Sequence, residues 1–408
     1  MVGPLLGHSG VARVVGICCD EGLKGQRGTA DLTPDIVRKD SPTWRNAACV
    51  KGMDVAGRTA IGLDIGTSGV RAAELAFGKS GITLEKFAQV GLPEGAVRDG
   101  EVMKPDVVAA AIRELWAHTK FSDKKVIVGV ANQKVIVRQV DLPWQPMDEL
   151  RESLAFQVQD TIPMPVEQAV LDFYPLDELT SENGARVLRG LLVAASRDMV
   201  QAQLDAVQQA GLTPTMVDLT AFAVLRSLAD SDDLGMGGEM EALVDVGARV
   251  TNIVVHEGGI PRFVRILLMG GADVTDALSE RTGTAYTDAE ARKHEMGMSA
   301  QSDDLDDQAA GRVMEAAGQA FVDQVRGSLD YYMASPGARP IGRVVLTGGG
   351  SRLSGLVDRL HTATRIPVQR GTAFGDLTIG KTGLSPEQME FVEPLAAVPV
   401  GLALGAAS

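Results

Sequence analysis

The sequence predicts an α/β protein of two similar lobes, and three observations carry that reading. A three-strand meander begins abruptly at Thr59, a second of the same design begins at Ala242, and each leads into helices. In the first copy the strands span residues 59–65, 70–77 and 82–90, joined by Gly-Thr-Ser-Gly and Gly-Lys-Ser-Gly turns. In the second they span 243–246, 250–256 and 260–268, with turns at Gly247 and at Glu-Gly-Gly. Superposing Asp64 on Asp245 also brings Gly66 onto Gly247, a spacing that points to two duplicated domains rather than a solenoid.

The helices follow in order. Pro105 opens one with Val108, Ile112, Leu115 and Trp116 on a single face, and Asp198 opens another that stops at Gly211. In the second half, residues 272–281 and 308–333 read as helices, the latter with Phe321, Val325 and Leu329 inward. Between a strand at 126–131 and one at 187–195 lies an insertion: a strand near 135–140, a helix at 147–160 ended by Ile162-Pro163, and a strand near 170–174. That is a small α+β subdomain. The expected division is therefore an extension at 1–57 without periodicity, a first lobe at 58–132 resuming at 186–230, and an insertion at 133–185. A second lobe at 239–385 and a return to the first lobe at 386–408 complete it. Acidic or glycine-rich linkers are expected at 230–238 and 303–307.

The chain has 408 residues, enough for more than one domain, and its 45% hydrophobic and 23% charged content is that of a globular protein. A net charge of −14 removes the usual electrostatic drive for nucleic acid or anionic lipid. The three cysteines, Cys18, Cys19 and Cys49, lie in the extension, so the body holds no disulfide framework or Cys-ligated zinc. No apolar run reaches the roughly 18 residues of a membrane span, and the first 20 residues do not read as an export signal. The expected location is the cytoplasm.

Chemistry concentrates in three glycine turns. Asp64-Ile65-Gly66-Thr67-Ser68 and Asp245-Val246-Gly247-Ala248-Arg249 each end a buried strand in a tight turn, whose successive N–H groups can cradle phosphate oxygens. The strand-ending aspartates are placed to hold Mg²⁺ through water, because Mg²⁺ keeps much of its hydration shell. One Asp-x-Gly is ordinary turn chemistry; two in matching contexts point to phosphate. Thr347-Gly348-Gly349-Gly350-Ser351 follows the apolar strand at 344–346 and precedes a helix, a place for the adenosine or phosphate part of a nucleotide. It has neither a P-loop ending nor Rossmann spacing. The five histidines show no metal spacing, and no Gly-x-Ser-x-Gly elbow is present.

The order Asp-x-Gly-Thr, Asp-x-Gly, Thr-Gly-Gly-Gly resembles the nucleotide motifs of the actin, Hsp70 and sugar-kinase superfamily. Over residues 58–407 the chain further resembles the type IV pilus assembly PilM family, relatives of the division protein FtsA. Asp99-Gly100-Glu101-Val102, the stretch 150–163 with Ala155-Phe156 and Ile162-Pro163, Thr251-Asn252 and Gly270-Gly271 carry that likeness with the three turns.

The resemblance implies a two-lobed actin-like fold, duplicated from a ribonuclease H-like unit, with an FtsA-type insertion and ATP with Mg²⁺ between the lobes. It places Asp64 and Asp245 around the metal, and Gly66, Thr67, Ser68, Gly247 and Ala248 along the phosphates. Gly348, Gly349 and Gly350 would underlie the adenosine, with Glu290 and Lys293 reaching the ribose; that i,i+3 pair reads equally as a solvated helix turn. One departure is expected on the helix at 218–227. Phe222 falls where relatives carry a polar side chain that orients the attacking water, so binding is better supported than turnover, and hydrolysis is expected to be slow or absent.

The function implied is a cytoplasmic scaffold, peripheral to the inner membrane, gripping the cytoplasmic N-terminal tail of a PilN-type protein, with self-association left open. A metabolite kinase on the same fold needs a general base that the sequence does not offer, and an FtsA-like filament protein would favour a C-terminal amphipathic helix where this chain has Gly401-Leu402-Ala403-Leu404-Gly405.

Overall fold

The computed structural model describes residues 57–181, 183–229, 238–298 and 303–407. The expected extension at 1–57, but for Gly57, and nearly all of the linker at 230–238 lie outside the described residues.

The chain opens with β1 (Arg58–Ile65), β2 (Gly69–Gly78) and β3 (Gly81–Gly91), followed by the hairpin β4 (Val97–Arg98) and β5 (Glu101–Val102). Helix α1 (Pro105–Thr119) and β6 (Lys125–Val130) come next. The insertion holds β7 (Val135–Pro143), α2 (Met147–Val158), β8 (Ala169–Thr180) and β9 (Arg186–Ser196). The chain then runs through α3 (Arg197–Gln209), β10 (Thr213–Leu219) and α4 (Thr220–Leu228). The second lobe begins with β11 (Met240–Val246), β12 (Thr251–Glu257) and β13 (Ile260–Leu267), then α5 (Gly271–Thr282), α6 (Tyr286–Met296) and α7 (Leu305–Met333). Strand β14 (Ile341–Thr347), helix α8 (Leu356–Thr364), strands β15 (Val368–Arg370) and β16 (Thr378–Ile379), and helix α9 (Pro386–Leu404) complete it.

Duplication is visible in the sheets. The first has the order β10-β6-β1-β2-β3-β16 and the second β15-β14-β11-β12-β13, so each meander is extended on the β1 or β11 side by two parallel strands. Both meanders keep one register: Asp64 pairs with Arg71 across β1 and β2, and Asp245 with Asn252 across β11 and β12. Parallel strands need a crossover, which α1 and the insertion with α3 supply in the first lobe, and α5 to α7 and then α8 in the second.

Each sheet buries both faces. In the first, Leu63, Val70 and Val128 pack under α1 and α3, while Ala73, Leu75 and Phe87 pack under α9. Helix α9 lies so close to β1 that a Cβ at Gly62 would sit 2.0 Å from the Pro399 carbonyl oxygen. In the second lobe Phe321, Val325 and Leu329 of α7 cover the sheet with α8. Asp304 starts α7 by accepting from the Asp306 and Asp307 N–H groups, so the acidic segment expected as a linker is the helix's first turn.

Three expectations are corrected. Strand 187–195 was assigned to the first lobe, but β9 pairs with both β7 and β8 and is the centre of the insertion's sheet. The first lobe's strand there is β10 instead, and Asp218 lies on it rather than on a helix. The return to the first lobe begins before residue 386, because β16 pairs with β3.

The insertion also touches the second lobe. Val137, Tyr174 and Leu176 share a core with Phe222, Val254, Val264 and Ile266, β13 lies against β7, and Arg262 of β13 bonds Asp177 of β8 at 3.0 Å. On α2, Leu150, Leu154 and Val158 are buried against the subdomain's own sheet and Phe156 is exposed. No helix among the described residues is long and apolar enough to cross a membrane.

Candidate functional site

All the sequence-predicted site residues line one cleft of about 510 Å³: Asp64, Gly66, Thr67, Ser68, Asp245, Gly247, Ala248, Glu290, Lys293 and Gly348 to Gly350. The duplicated turns close in the same way, with Gly66 N–H donating to the Gly69 carbonyl and Gly247 N–H to the Val250 carbonyl, both at 3.0 Å. The N-terminus of α5 braces the second turn, where Gly271 N–H donates to Gly247 O at 3.0 Å and Ala272 N–H to Ala248 O at 2.8 Å. In the third turn Gly348 has φ +80° and a Cβ there would lie 2.5 Å from Asp245 Oδ1. Glycine is required on both counts. Its N–H donates to the Pro394 carbonyl of α9 at 2.9 Å, which fixes the loop against the first lobe.

The carboxylates end β1 and β11 and are poorly solvated. Burial raises the Asp64 pKa, and Arg71 opposes it by charge and a 3.4 Å contact. Burial pushes Asp245 up to about 6; the hydrogen bond from Asn252 at 3.0 Å works against this, the Asp64 charge adds to it, and Arg71 works against it. Two carboxylates held near each other at this cost are a donor set that a dication would relieve. Among the described residues no three His, Cys, Asp or Glu side chains converge as a metal cage. The pair therefore suits Mg²⁺, which takes one or two carboxylates, keeps its waters and leans on phosphate oxygens.

Arg71 is a candidate site residue that the sequence does not single out. Its guanidinium reaches Ser68 Oγ at 3.0 Å as well as Asp64, and it lines the cleft beside the first turn, a cation where phosphate would sit. The four-residue turn that pairs Ile65 with Val70 sets Arg71 opposite Asp64, and this register could have identified it.

On the second-lobe side of the cleft, Lys293 is buried and donates to Gly271 O at 2.9 Å, Thr275 Oγ1 at 2.8 Å and Glu290 Oε2 at 2.7 Å. Burial acts against the Glu290 carboxylate, but hydrogen bonds from Lys293 and Thr275 outweigh it and hold the pKa below the usual range. The pair is thus a fixed polar wall of the cleft, not a solvated turn. Arg352, on the 3₁₀ turn after Gly348, lies 3.7 Å over the Phe391 ring of α9, and both line the cleft.

Phe222 is not where the sequence placed it. Its ring is buried against Tyr174, and the α4 residue on the cleft is Thr220, two residues earlier and on another face of the helix.

Two lobes of matched topology around a glycine-lined cleft with an aspartate from each define an actin-like protein. A family model for type IV pilus assembly protein PilM matches residues 62–407, and the chain belongs to that family. The fold is similar to that in the solved PilM-PilN type IV pilus biogenesis complex, with TM-score 0.74 and 27% identity over 86% of this chain and 98% of that one. MreB5 of Spiroplasma citri bound to ADP shares the fold at TM-score 0.50 and 11% identity, covering 84% of this chain and 94% of that one. Among curated relatives, FtsA of Neisseria meningitidis serogroup B is 25% identical over 76% of this chain and 82% of its own length. FtsA of Bacillus subtilis is 26% identical over 58% of each, so the chain spans little more than half of that relative.

Proposed function

We propose that this chain is an ATP-binding scaffold of the type IV pilus assembly platform that grips the N-terminal cytoplasmic segment of a PilN-type membrane protein. The observation that carries the nucleotide half is the convergence of three glycine turns and two buried aspartates on one cleft. The turns supply backbone N–H groups to the phosphates, Arg71 adds the charge, and Asp64 and Asp245 would hold Mg²⁺, which screens phosphate charge when bound. Glu290 and Lys293 face the ribose end, and Arg352 the base. Family membership, and the PilN in the complex of the similar solved protein, support the partner half. An extended peptide can add to a strand edge of the β7-β9-β8 sheet while its side chains enter the junction with the first lobe. Membrane association would then come through the partner, at the inner face of the cytoplasmic membrane.

The test has two arms. Nucleotide-free protein should gain thermal stability with Mg-ATP, about 2.7 kcal/mol when ATP stands at 100 times its Kd; no shift at millimolar Mg-ATP overturns the nucleotide half. A photo-crosslinking peptide copying the N-terminus of the cognate PilN should bind at micromolar affinity or better, near −8 kcal/mol, and crosslink within residues 133–196. Crosslinks confined to the second lobe, or no binding, overturn the partner half. Point crosslinks are preferred to deleting 135–185, which would leave β9 without both of its sheet partners.

A further inference from the structure

We infer that Arg249 is a phosphate-binding cation held in reserve: Asp273 and Asp276 keep it until a nucleotide enters, and the polyphosphate chain then takes it from them. This rests on the nucleotide reading above. Arg249 closes the second glycine turn and lines the cleft. Its Nη1 donates to Asp276 Oδ2 and lies 3.6 Å from Asp273 Oδ1, both carboxylates standing on α5. The three side chains are 26%, 37% and 35% exposed for Arg249, Asp276 and Asp273, so their pairing is of the weak, solvent-screened kind that a better acceptor displaces.

The neighbouring donors of the second lobe are already committed. A helix N-terminus ordinarily offers its first N–H groups to an anion, but those of α5 go to backbone: Gly271 N–H to Gly247 O at 3.0 Å, Ala272 N–H to Ala248 O at 2.8 Å and Asp273 N–H to Gly270 O at 3.3 Å. Lys293 is held by Gly271, Thr275 and Glu290, and His294 bonds Glu290 at 3.0 Å. Arg249 is the cation beside the second turn whose partners can be exchanged. One guanidinium against two carboxylates also leaves a net charge of about −1 at the turn that would hold phosphate, which repels a nucleotide unless the arginine turns to it. The exchange strands no buried charge, since Asp273 still accepts the Gly270 N–H at 2.7 Å and Asp276 faces water. A guanidinium fork fits phosphate oxygens in pairs, and the gain is charge-assisted. Arg249 therefore favours nucleotide over nucleoside, and Asp276 competes with the ligand for it.

The test is calorimetric titration of nucleotide-free full-length protein with ATP and with adenosine, both with Mg²⁺. Arg249→Ala should lose roughly 10- to 100-fold in ATP affinity and leave adenosine binding unchanged. Asp276→Asn should act in the opposite direction and tighten ATP by roughly two- to fivefold, the strength of a partly exposed pair, and it should gain nothing when Arg249 is already alanine. Unchanged ATP affinity in Arg249→Ala, or an equal loss of ATP and adenosine affinity, overturns the proposal. So does an Asp276→Asn variant that gains no affinity, or one that gains equally in the Arg249→Ala background, where the carboxylate would simply be repelling phosphate. Melting curves identify a variant that misfolds; Arg249→Gln, which keeps an amide for Asp276, then replaces the alanine variant, with the same outcomes deciding. Wild-type protein that binds no ATP overturns the nucleotide reading itself, whereas wild-type binding with any of the contrary variant results overturns this proposal alone.

Discussion

The Tyr174 and Phe222 rings meet at 5.6 Å between centroids with a 43° tilt, joining β8 of the insertion to α4, whose first residue, Thr220, lines the cleft. Phe222 is therefore a packing residue. Phe222→Gln, which the sequence would suggest to restore a water-orienting group, places an amide in an apolar core instead. It should cost about 3 kcal/mol or more in urea unfolding and leave single-turnover hydrolysis no faster. Faster hydrolysis with unchanged stability would contradict the assignment of Phe222 to the core.

Arg71 and Asp64 act on opposite ends of one charge balance. Arg71→Ala removes the cation beside the first turn and leaves Asp64 buried without its partner. ATP affinity should fall about 10- to 100-fold, the 1.4–2.8 kcal/mol expected of a charge-assisted contact, while adenosine affinity changes little. Asp64→Ala should instead abolish most of the Mg²⁺-dependent part of ATP binding. Calorimetric titrations of ATP and adenosine, with Mg²⁺ or EDTA, distinguish the two patterns.

The raised pKa of Asp245 makes a pH prediction for the metal-free protein. Burial pushes its carboxyl up to about 6 in the folded state, above the ordinary 3.8, so between those values the folded state binds the proton more tightly. Stability from this group is present at low pH, is lost as pH rises through that window, and stays lost above it, by about 3 kcal/mol at most. Asp245→Asn should therefore be relatively more stable than wild type at pH 7.5 than at pH 4. Urea unfolding in EDTA at both values measures the difference; an unchanged gap between the proteins would refute it.

Much of this fold was legible because both meanders alternate and turn on glycine, so their strands could be bounded to within a few residues. The cleft was legible for the same reason: strand-ending aspartates at 64 and 245 announce themselves by their glycines. Position β9 was not legible, since residues 187–195 are nearly all apolar and a central strand of the insertion reads like one of a buried lobe sheet. Helix α9 carries Pro394 and Pro399 in its interior, where proline ordinarily disfavours a helix. Packing overrides them there: Pro399 crosses β1 at Gly62, and the Pro394 carbonyl receives the Gly348 N–H. The sequence misplaces Phe222 because starting its helix at 218, two residues too early, turns a core residue toward the cleft, and Arg71 escapes notice because its place comes from cross-strand register rather than from a motif.

The Arg262–Asp177 bond at 3.0 Å is the polar part of the contact between β13 and the insertion, beside the apolar one made by Val137, Tyr174, Val264 and Ile266. Arg262 also reaches Glu257 at 3.4 Å, so removing Asp177 does not strand the guanidinium. Both partners are partly exposed, which limits the pair to roughly 0.2–1 kcal/mol of coupling. The larger consequence is geometric. If the lobes move relative to each other when nucleotide enters, the insertion must follow the second lobe or slide on β13, and the amides of β8 should report it. Hydrogen exchange across residues 169–180 should change on adding Mg-ATP. In the Arg262→Ala, Asp177→Ala double variant the same nucleotide binding should produce a smaller change, because one tie between insertion and second lobe is gone. Exchange in β8 that ignores Mg-ATP in the wild type, with binding verified in the same sample, would mean that nucleotide leaves the contact between β13 and the insertion unchanged.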